Sequence, residues 1–214
     1  MRVHAFTFNP FAENTYILID DTTHECALVD PGCHTPGEQD TLRRFIADSN
    51  LTPTQLLLTH GHVDHVLGLD FAARTWNLTP QHHPADQETL RAVPLYAGIY
   101  GFGQVRLPEP TAPLLTPGTI RVGELELEVR FTPGHAPGHV VFYHEPTRRL
   151  IGGDMLFQGS VGRTDLPGGD FATLEASIRE QLYTLPDEVV VYPGHGPTTT
   201  IGAEKRSNPF VRSV

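Results

Sequence analysis

The sequence predicts a layered α/β protein whose strands end in residues able to ligate metals. Three observations carry this. Short apolar runs of strand type alternate with stretches of helical spacing, in two rough halves that each open with strands. Four of the strand-like runs lead directly to a histidine or aspartate beside a glycine. The 214 residues are 39% hydrophobic and 19% charged, which is ordinary globular usage. That length supports one sizeable core, so residues 1–214 are read as a single domain.

Val3–Phe8, Thr15–Ile19 and Ala27–Val29 read as three strands, punctuated by Asn14 and the Asp20–Asp21 pair. Asp30-Pro31-Gly32 ends the third with turn residues. Gln39–Ser49 sets Leu42, Phe45 and Ile46 at helical spacing among Arg43, Arg44 and Asp48. After Pro53, Leu56-Leu57-Leu58 is an unbroken apolar run, the pattern of a strand buried on both faces. Leu67–Trp76 and Ala85–Arg91 read as helices. Pro94–Pro117, rich in Pro and Gly, reads as a long irregular excursion, a kind of loop that often carries function. Ile120–Phe131 alternates through Leu125, Leu127, Val129 and Phe131 and reads as strand, as do Val140–Tyr143 and Leu150–Ile151. Thr173–Tyr183 has Leu174, Ile178 and Leu182 at helical spacing. Glu188–Tyr192 is a last strand and Ile201–Ser207 a short last helix.

The formal net charge of −10 argues against a phosphate-binding surface, so no nucleic-acid partner is expected. Cys26 and Cys33 are too few for a disulfide framework or a Cys-rich zinc site, and two free thiols fit a reducing compartment. No apolar run reaches the roughly 20 residues of a membrane span, and the opening residues lack the apolar run of a signal peptide. The expectation is a cytoplasmic protein with no membrane contact.

Thr59-His60-Gly61-His62-Val63-Asp64-His65 is the densest chemical feature. It follows a buried-looking strand and precedes a helix, the place where α/β proteins put ligand sites. Imidazole and carboxylate together suit zinc, iron or manganese. Thr132-Pro133-Gly134-His135-Ala136-Pro137-Gly138-His139 also follows a strand. His135 is its better ligand, and His139 is either an outer-shell donor or structural. Gly152-Gly153-Asp154 follows Leu150-Ile151, and Tyr192-Pro193-Gly194-His195-Gly196 repeats the design. An Asp after two glycines is by itself a weak signal; four strand ends delivering a ligand type in one chain are not. His82, His83, His34 and His144 have no partners by spacing and read as surface or loop residues.

These four motifs, in this order, resemble the metallo-β-lactamase superfamily of hydrolases over nearly the whole chain. The resemblance implies a four-layer αββα sandwich with the metal site at one edge between the two sheets. It implies that His60, His62 and His135 hold one divalent ion, that Asp64, His65 and His195 hold another, and that Asp154 bridges them. A closer resemblance is to the glyoxalase II-like (hydroxyacylglutathione hydrolase-like) group and its single-domain bacterial branch. It rests on Asn9-Pro10-Phe11-Ala12-Glu13-Asn14-Thr15-Tyr16, on Gly159-Ser160-Val161-Gly162-Arg163-Thr164-Asp165, and on the Gly196–Phe210 ending. Larger members add a C-terminal helical domain and present a Lys and a Tyr to the thiol carrier. Here Arg163 and Asp165 stand at about those places.

The implied reaction is thioester hydrolysis, with S-lactoylglutathione as the leading example and a small-molecule, possibly glutathione-linked thioester as the partner. Two divalent ions, zinc first and iron or manganese also compatible, would share a water and lower its pKa from 15.7 toward about 7. The metal-bridged hydroxide would be the nucleophile, oriented by Asp64 as the catalytic residue. Arg163 is the candidate for a substrate carboxylate, with an ion pair to Asp165 as the alternative. Lys205 and Arg206, on the last helix, either contact substrate or offset the helix dipole. The rivals are a persulfide dioxygenase type with a single iron and a metal-binding scaffold without turnover. His62 stands where the flavin-linked di-iron reductases have Glu, which disfavours that group. The natural substrate, the loaded metal and the oligomeric state are not set by the sequence.

Overall fold

A computed structural model describes residues 1–109, 111–114 and 116–212. The chain opens with β1 (Arg2–Phe8), β2 (Glu13–Ile19) and β3 (Glu25–Val29), then helix α1 (Pro36–Asp48) and β4 (Thr52–Leu57). Helices α2 (Val63–Val66) and α3 (Leu69–Trp76), strand β5 (Pro80–His82), helix α4 (Gln87–Ile99) and the short β6 (Ala112–Pro113) complete the first half. The second half runs β7 (Gly118–Val122), β8 (Leu125–Phe131), β9 (Val140–His144), β10 (Arg149–Gly153), and a small hairpin of β11 (Leu156–Phe157) and β12 (Ser160–Val161). Helix α5 (Phe171–Ser177) continues into a π turn, Ile178–Leu182. Strands β13 (Val190–Pro193) and β14 (Thr199–Thr200) and helix α6 (Ile201–Ser207) close the fold.

One sheet has the order β1-β2-β3-β4-β5-β6, the other β14-β13-β10-β9-β8-β7. The pleat then sorts side chains into three apolar layers, because successive residues of a strand face opposite sides. Ile17, Ile19, Leu28, Leu56 and Leu58 pack outward against α1, α3 and α4 with Leu42, Ile46, Leu69 and Leu90. Tyr16, Leu18, Val29, Leu57, Leu127, Val140, Phe142 and Ile151 fill the space between the sheets. Val141, Tyr143, Leu150 and Val191 face outward again, onto Leu174, Ile178 and Ile201. The architecture is therefore the αββα sandwich, and unbroken apolar runs such as Leu56–Leu58 exist because both faces are covered.

Strand β8 is antiparallel to β9, β9 to β10, and β10 is parallel to β13. Strands β8, β10 and β13 thus point the same way, and their C-terminal ends share one edge of the sandwich. The other sheet joins there: Val140 N–H donates to the Thr59 carbonyl just beyond β4 (2.8 Å), and Asn14 N–H donates to the Gly194 carbonyl (2.7 Å).

Several expectations change. Ile120–Phe131 is a hairpin, not one strand, turning at Gly123, which takes φ +57°. Helix α4 runs through Pro94 to Ile99, because Leu90, Val93 and Ala97 bury one continuous face. Of the irregular excursion read over Pro94–Pro117, residues 94–99 are therefore helical, 112–113 form a strand, and 110 and 115 lie outside the described residues. The helix expected over Leu67–Trp76 starts at Leu69, behind a separate short helix Val63–Val66; Gly68 stands at the junction, where a Cβ would meet Cys33 Sγ at 2.4 Å. His82 and His144 are buried in strands β5 and β9 rather than at the surface.

Candidate metal centre

The ligand types predicted from four motifs converge at the shared edge. His60, His62 and His135 bring ring nitrogens within 4.8 Å of one another, and so do ligand atoms of Asp64, His65 and His195. His62 Nδ1 lies 2.8 Å from His135 Nε2, which lies 3.3 Å from His60 Nε2. In the second group, His195 Nε2 is 3.1 Å and His65 Nε2 3.7 Å from Asp64 Oδ2. Asp154 stands between the groups: its Oδ1 is 3.5 Å from His65 Nε2, and its Oδ2 is 3.5 Å from His135 Nε2 and 3.6 Å from His195 Nε2.

The outer ring nitrogens are fixed by neighbours that set the tautomers. Thr59 O–H donates to Asp30 Oδ2 (2.5 Å), so the Thr59 oxygen is left to accept from His60 Nδ1–H (3.0 Å). Asp30 Oδ2 also accepts from His65 Nδ1–H at 3.1 Å. His135 Nδ1–H donates to the Arg163 carbonyl (2.7 Å), and His195 Nδ1–H to the Phe11 carbonyl (3.1 Å). Each of these four rings therefore offers Nε2 inward. His62 alone turns Nδ1 inward.

The electrostatics call for cations. Burial, reinforced by neighbouring imidazoles, holds His60 well below the usual histidine range, and burial with His135 brings His62 down to about 3. Both rings are neutral and ligand-competent. Burial works the other way on His65, yet Asp154 and Asp64 outweigh it and raise that ring well above its ordinary value. Burial alone would raise Asp154, but the His65 charge dominates and holds its carboxyl far below the carboxylate range. Two acids and a crowd of imidazoles are stable together when positive charge sits among them.

Metal fit can be tested on the polar atoms themselves. His65 Nε2 and Asp154 Oδ1 are buried with no hydrogen-bond partner, an expensive arrangement unless a further group binds them. Gly194 keeps the space open, since a Cβ there would fall 2.1 Å from Asp154 Oδ1 and 2.7 Å from His65 Cε1. The donor set of imidazole and carboxylate suits a divalent transition metal. The residues fit a pair of such ions.

Residues 9–195 match the family described as the Metallo-beta-lactamase superfamily. The chain belongs to the metallo-β-lactamase superfamily. Among its relatives, the probable metallo-hydrolase YqgX of Bacillus subtilis (strain 168) is 38% identical, over 99% of this chain and 98% of that protein. Hydroxyacylglutathione hydrolase GloC of Haemophilus influenzae (strain ATCC 51907 / DSM 11121 / KW20 / Rd) is 36% identical, over 100% and 99%. A crystal structure of TTHA1623 in a di-iron-bound form superposes with a TM-score of 0.87 at 38% identity, covering 97% of this chain and 100% of that one. Superfamily membership and the His/Asp cluster make this a metal-binding hydrolase.

Three parts of this superfamily site were not legible as ligands or neighbours. Asp86, fully buried at the start of α4, accepts from Gly61 N–H (2.5 Å), Gly138 N–H (2.9 Å) and Thr89 O–H (3.2 Å). It thus ties the loop of His60 and His62 to the loop of His135; its signal was only an acid at a helix start after Pro84. His139 is not an outer-shell donor to a ligand side chain. Its Nε2 accepts the Asp154 backbone N–H (3.0 Å), which leaves Nδ1–H for Thr132 Oγ1 (2.9 Å). The Asn9–Tyr16 motif is a cradle: Asn9 Nδ2 donates to the Asp64 carbonyl (3.0 Å), Asn14 Nδ2 to the carbonyls of Pro193 (3.1 Å) and Gly196 (2.9 Å), and Tyr16 O–H to Pro193 (2.6 Å).

A cavity of about 720 Å³ opens above the cluster, floored by His62, Asp64, His135, Asp154 and His195. Arg163 lines it and pairs in a bidentate way with Asp165 (2.7 and 2.8 Å). Lys205 and Arg206 do not line it. Lys205 Nζ donates to the Leu185 carbonyl (3.0 Å) and Asp187 (2.8 Å), and Arg206 approaches the same Asp187 at 3.9 Å. The two are thus turned toward the Leu185–Asp187 turn rather than toward the cavity.

Proposed function

We propose that this protein is a thioester hydrolase of the hydroxyacylglutathione hydrolase type, working with two divalent ions, zinc foremost. The observation that carries the reading is the pair of ligand groups sharing Asp154 at the floor of an open cavity, with His65 Nε2 and Asp154 Oδ1 unpartnered. Full-length likeness to a hydroxyacylglutathione hydrolase supports the thioester class.

His60, His62 and His135 would hold one ion, Asp64, His65 and His195 the other, with Asp154 common to both. Bound there, such ions lower the pKa of water toward about 7 and polarise a carbonyl. Asp64 engages His195 through Oδ2, so Oδ1 is the atom left to orient the attacking water. Asp30 and the carbonyls of Phe11 and Arg163 hold the rings in register throughout. The thiol needs no strong general acid to depart, because its own pKa is about 8.5. Arg163 at the cavity wall is the group for a substrate carboxylate, which would exchange with Asp165. Lys205 and Arg206 have no part in this reading.

The test is a thioester panel on metal-analysed protein, with S-lactoylglutathione beside other acyl thioesters. Turnover is expected at about two ions per chain. Asp154→Ala is expected to lose activity by at least about a hundredfold and to lose bound metal. No thioester turnover with any metal would overturn the reading, as would one iron per chain with thiol-dependent oxygen uptake.

A further inference from the structure

The cavity is far larger than a reacting thioester group and a lactoyl unit require, and its walls are apolar. Its lining takes Ala92, Val93 and Tyr96 from α4, and Phe157, Val161 and Leu166 from the second half of the chain. Charge is scarce and already matched. Among the described residues, Arg163 is the one Lys or Arg in the lining, and its Nε and Nη2 pair with Asp165. Glu88, on the α4 wall, is paired with Arg91.

The apolar surface continues out of the mouth. Phe11 meets Tyr100 edge-on, with ring centroids 5.3 Å apart, and both line the cavity. Leu95 and Ile99 on α4 are each 66% exposed. Ile99 stands two turns beyond Ala92 on the same helix face. Leu90, Val93 and Ala97 face the core, with Tyr96 packed partly against it, so the exposed Leu95 and Ile99 serve no core packing, and water-facing apolar surface of this kind marks a binding site. A cavity of this size matches a ligand well beyond a lactoyl group.

We propose that the site takes thioesters carrying an extended apolar group, laid along the cavity face of α4, in preference to small hydroxyacyl thioesters. The proposal rests on the thioester reading above. Each methylene buried against that wall improves kcat/KM by about fourfold, until the wall is covered.

Two substrate series on the metal-loaded chain test this. One lengthens the acyl chain on the neutral thiol N-acetylcysteamine; the other keeps an acetyl group and lengthens an alkyl thiol. One series is expected to rise about fourfold per methylene over its first members, and the series that rises identifies the arm lying on α4. Ala92→Asp, which sets a carboxylate on the half-buried wall, is expected to flatten that rise to near unity per methylene while the melting temperature moves by only a few degrees. If acetyl thioesters turn over but both series stay flat, the apolar-substrate proposal is overturned and thioester hydrolysis stands. If no thioester turns over, both fall.

Discussion

At the scale of single residues, the site divides into groups that point at metal and groups that aim them. Asp86 belongs to the second kind. Its two oxygens each receive a backbone N–H from a different ligand loop, and a carboxylate can accept at both while an amide cannot. Asp86→Asn keeps the shape but turns one accepting oxygen into a donor facing a donor. The expected result is an apparent affinity weakened by about 10–100-fold for the ion proposed at His60, His62 and His135, with the ion proposed at Asp64, His65 and His195 less affected. Competition with a chromophoric chelator measures both; equal, unchanged affinities would remove Asp86 from this role. Sequence reading found the ligands themselves because glycine and imidazole at a strand end leave a legible local pattern. Asp86 was invisible because the two partners through which it joins the loops are backbone amides far away in the chain. The carbonyls of Phe11 and Arg163 were invisible for a simpler reason: a carbonyl has no residue type.

At the scale of elements, most strands and helices follow from local pattern, and the misreadings have local causes. Helix α1 carries its own start signal, a capping box in which Thr35 and Glu38 satisfy each other's backbone N–H groups. The Glu38 carboxylate also accepts the Asn9 N–H (2.7 Å), so the cap reaches the cradle under Asp64. Pro94 opens the stretch expected to be irregular, but packing on both sides of it outweighs one lost hydrogen bond. The short strands β5 and β6 carry too few residues to show a period. Asp20 illustrates an element junction with a measurable consequence. It accepts from Glu124 N–H (2.7 Å), Thr22 N–H (3.0 Å) and Thr23 O–H (2.9 Å), pinning the β7–β8 turn of one sheet to the end of β2 in the other. The Glu124 amide, followed by that of Thr22, holds its carboxyl down at about 2. A depressed folded-state value means the stabilisation is present above the unfolded value of about 3.9 and is lost as pH falls toward 2. Asp20→Ala is expected to melt several degrees below wild type at pH 6. That gap should close between about pH 4 and pH 2. A gap independent of pH would show that the charged form contributes nothing.

At the scale of the whole molecule, the metal centre is a clasp between the two sheets. Loops after β4 in one sheet and after β8, β10 and β13 in the other supply its candidate ligands, and Asn9 before β2 and Asn14 within it brace the site. Ions that bind only the folded chain therefore stabilise the sandwich as a unit, by about 4 kcal/mol at a free concentration near 1,000 times Kd. Stripping them with a chelator is expected to lower the melting temperature by roughly 8–16 °C, and restoring metal should recover it. An unchanged melting curve after confirmed metal loss would contradict the clasp. No helix among the described residues is long and apolar enough to cross a membrane.

The sequence by itself determined the layered class and the candidate ligand residues, because strand periodicity and ligand chemistry are written in neighbouring positions; their proposed grouping came from the family resemblance. Tertiary structure alone decided what surrounds them. It brought the C-terminal ends of β4, β8, β10 and β13 to one edge, fixed each tautomer through Thr59, Asp30 and two remote carbonyls, and moved Lys205 and Arg206 away from the cavity. It also gathered Ala92, Val93, Tyr96, Phe157 and Leu166 around one cavity, giving it apolar walls. Such facts depend on which distant segments share a surface, and only the packing of two sheets face to face settles that.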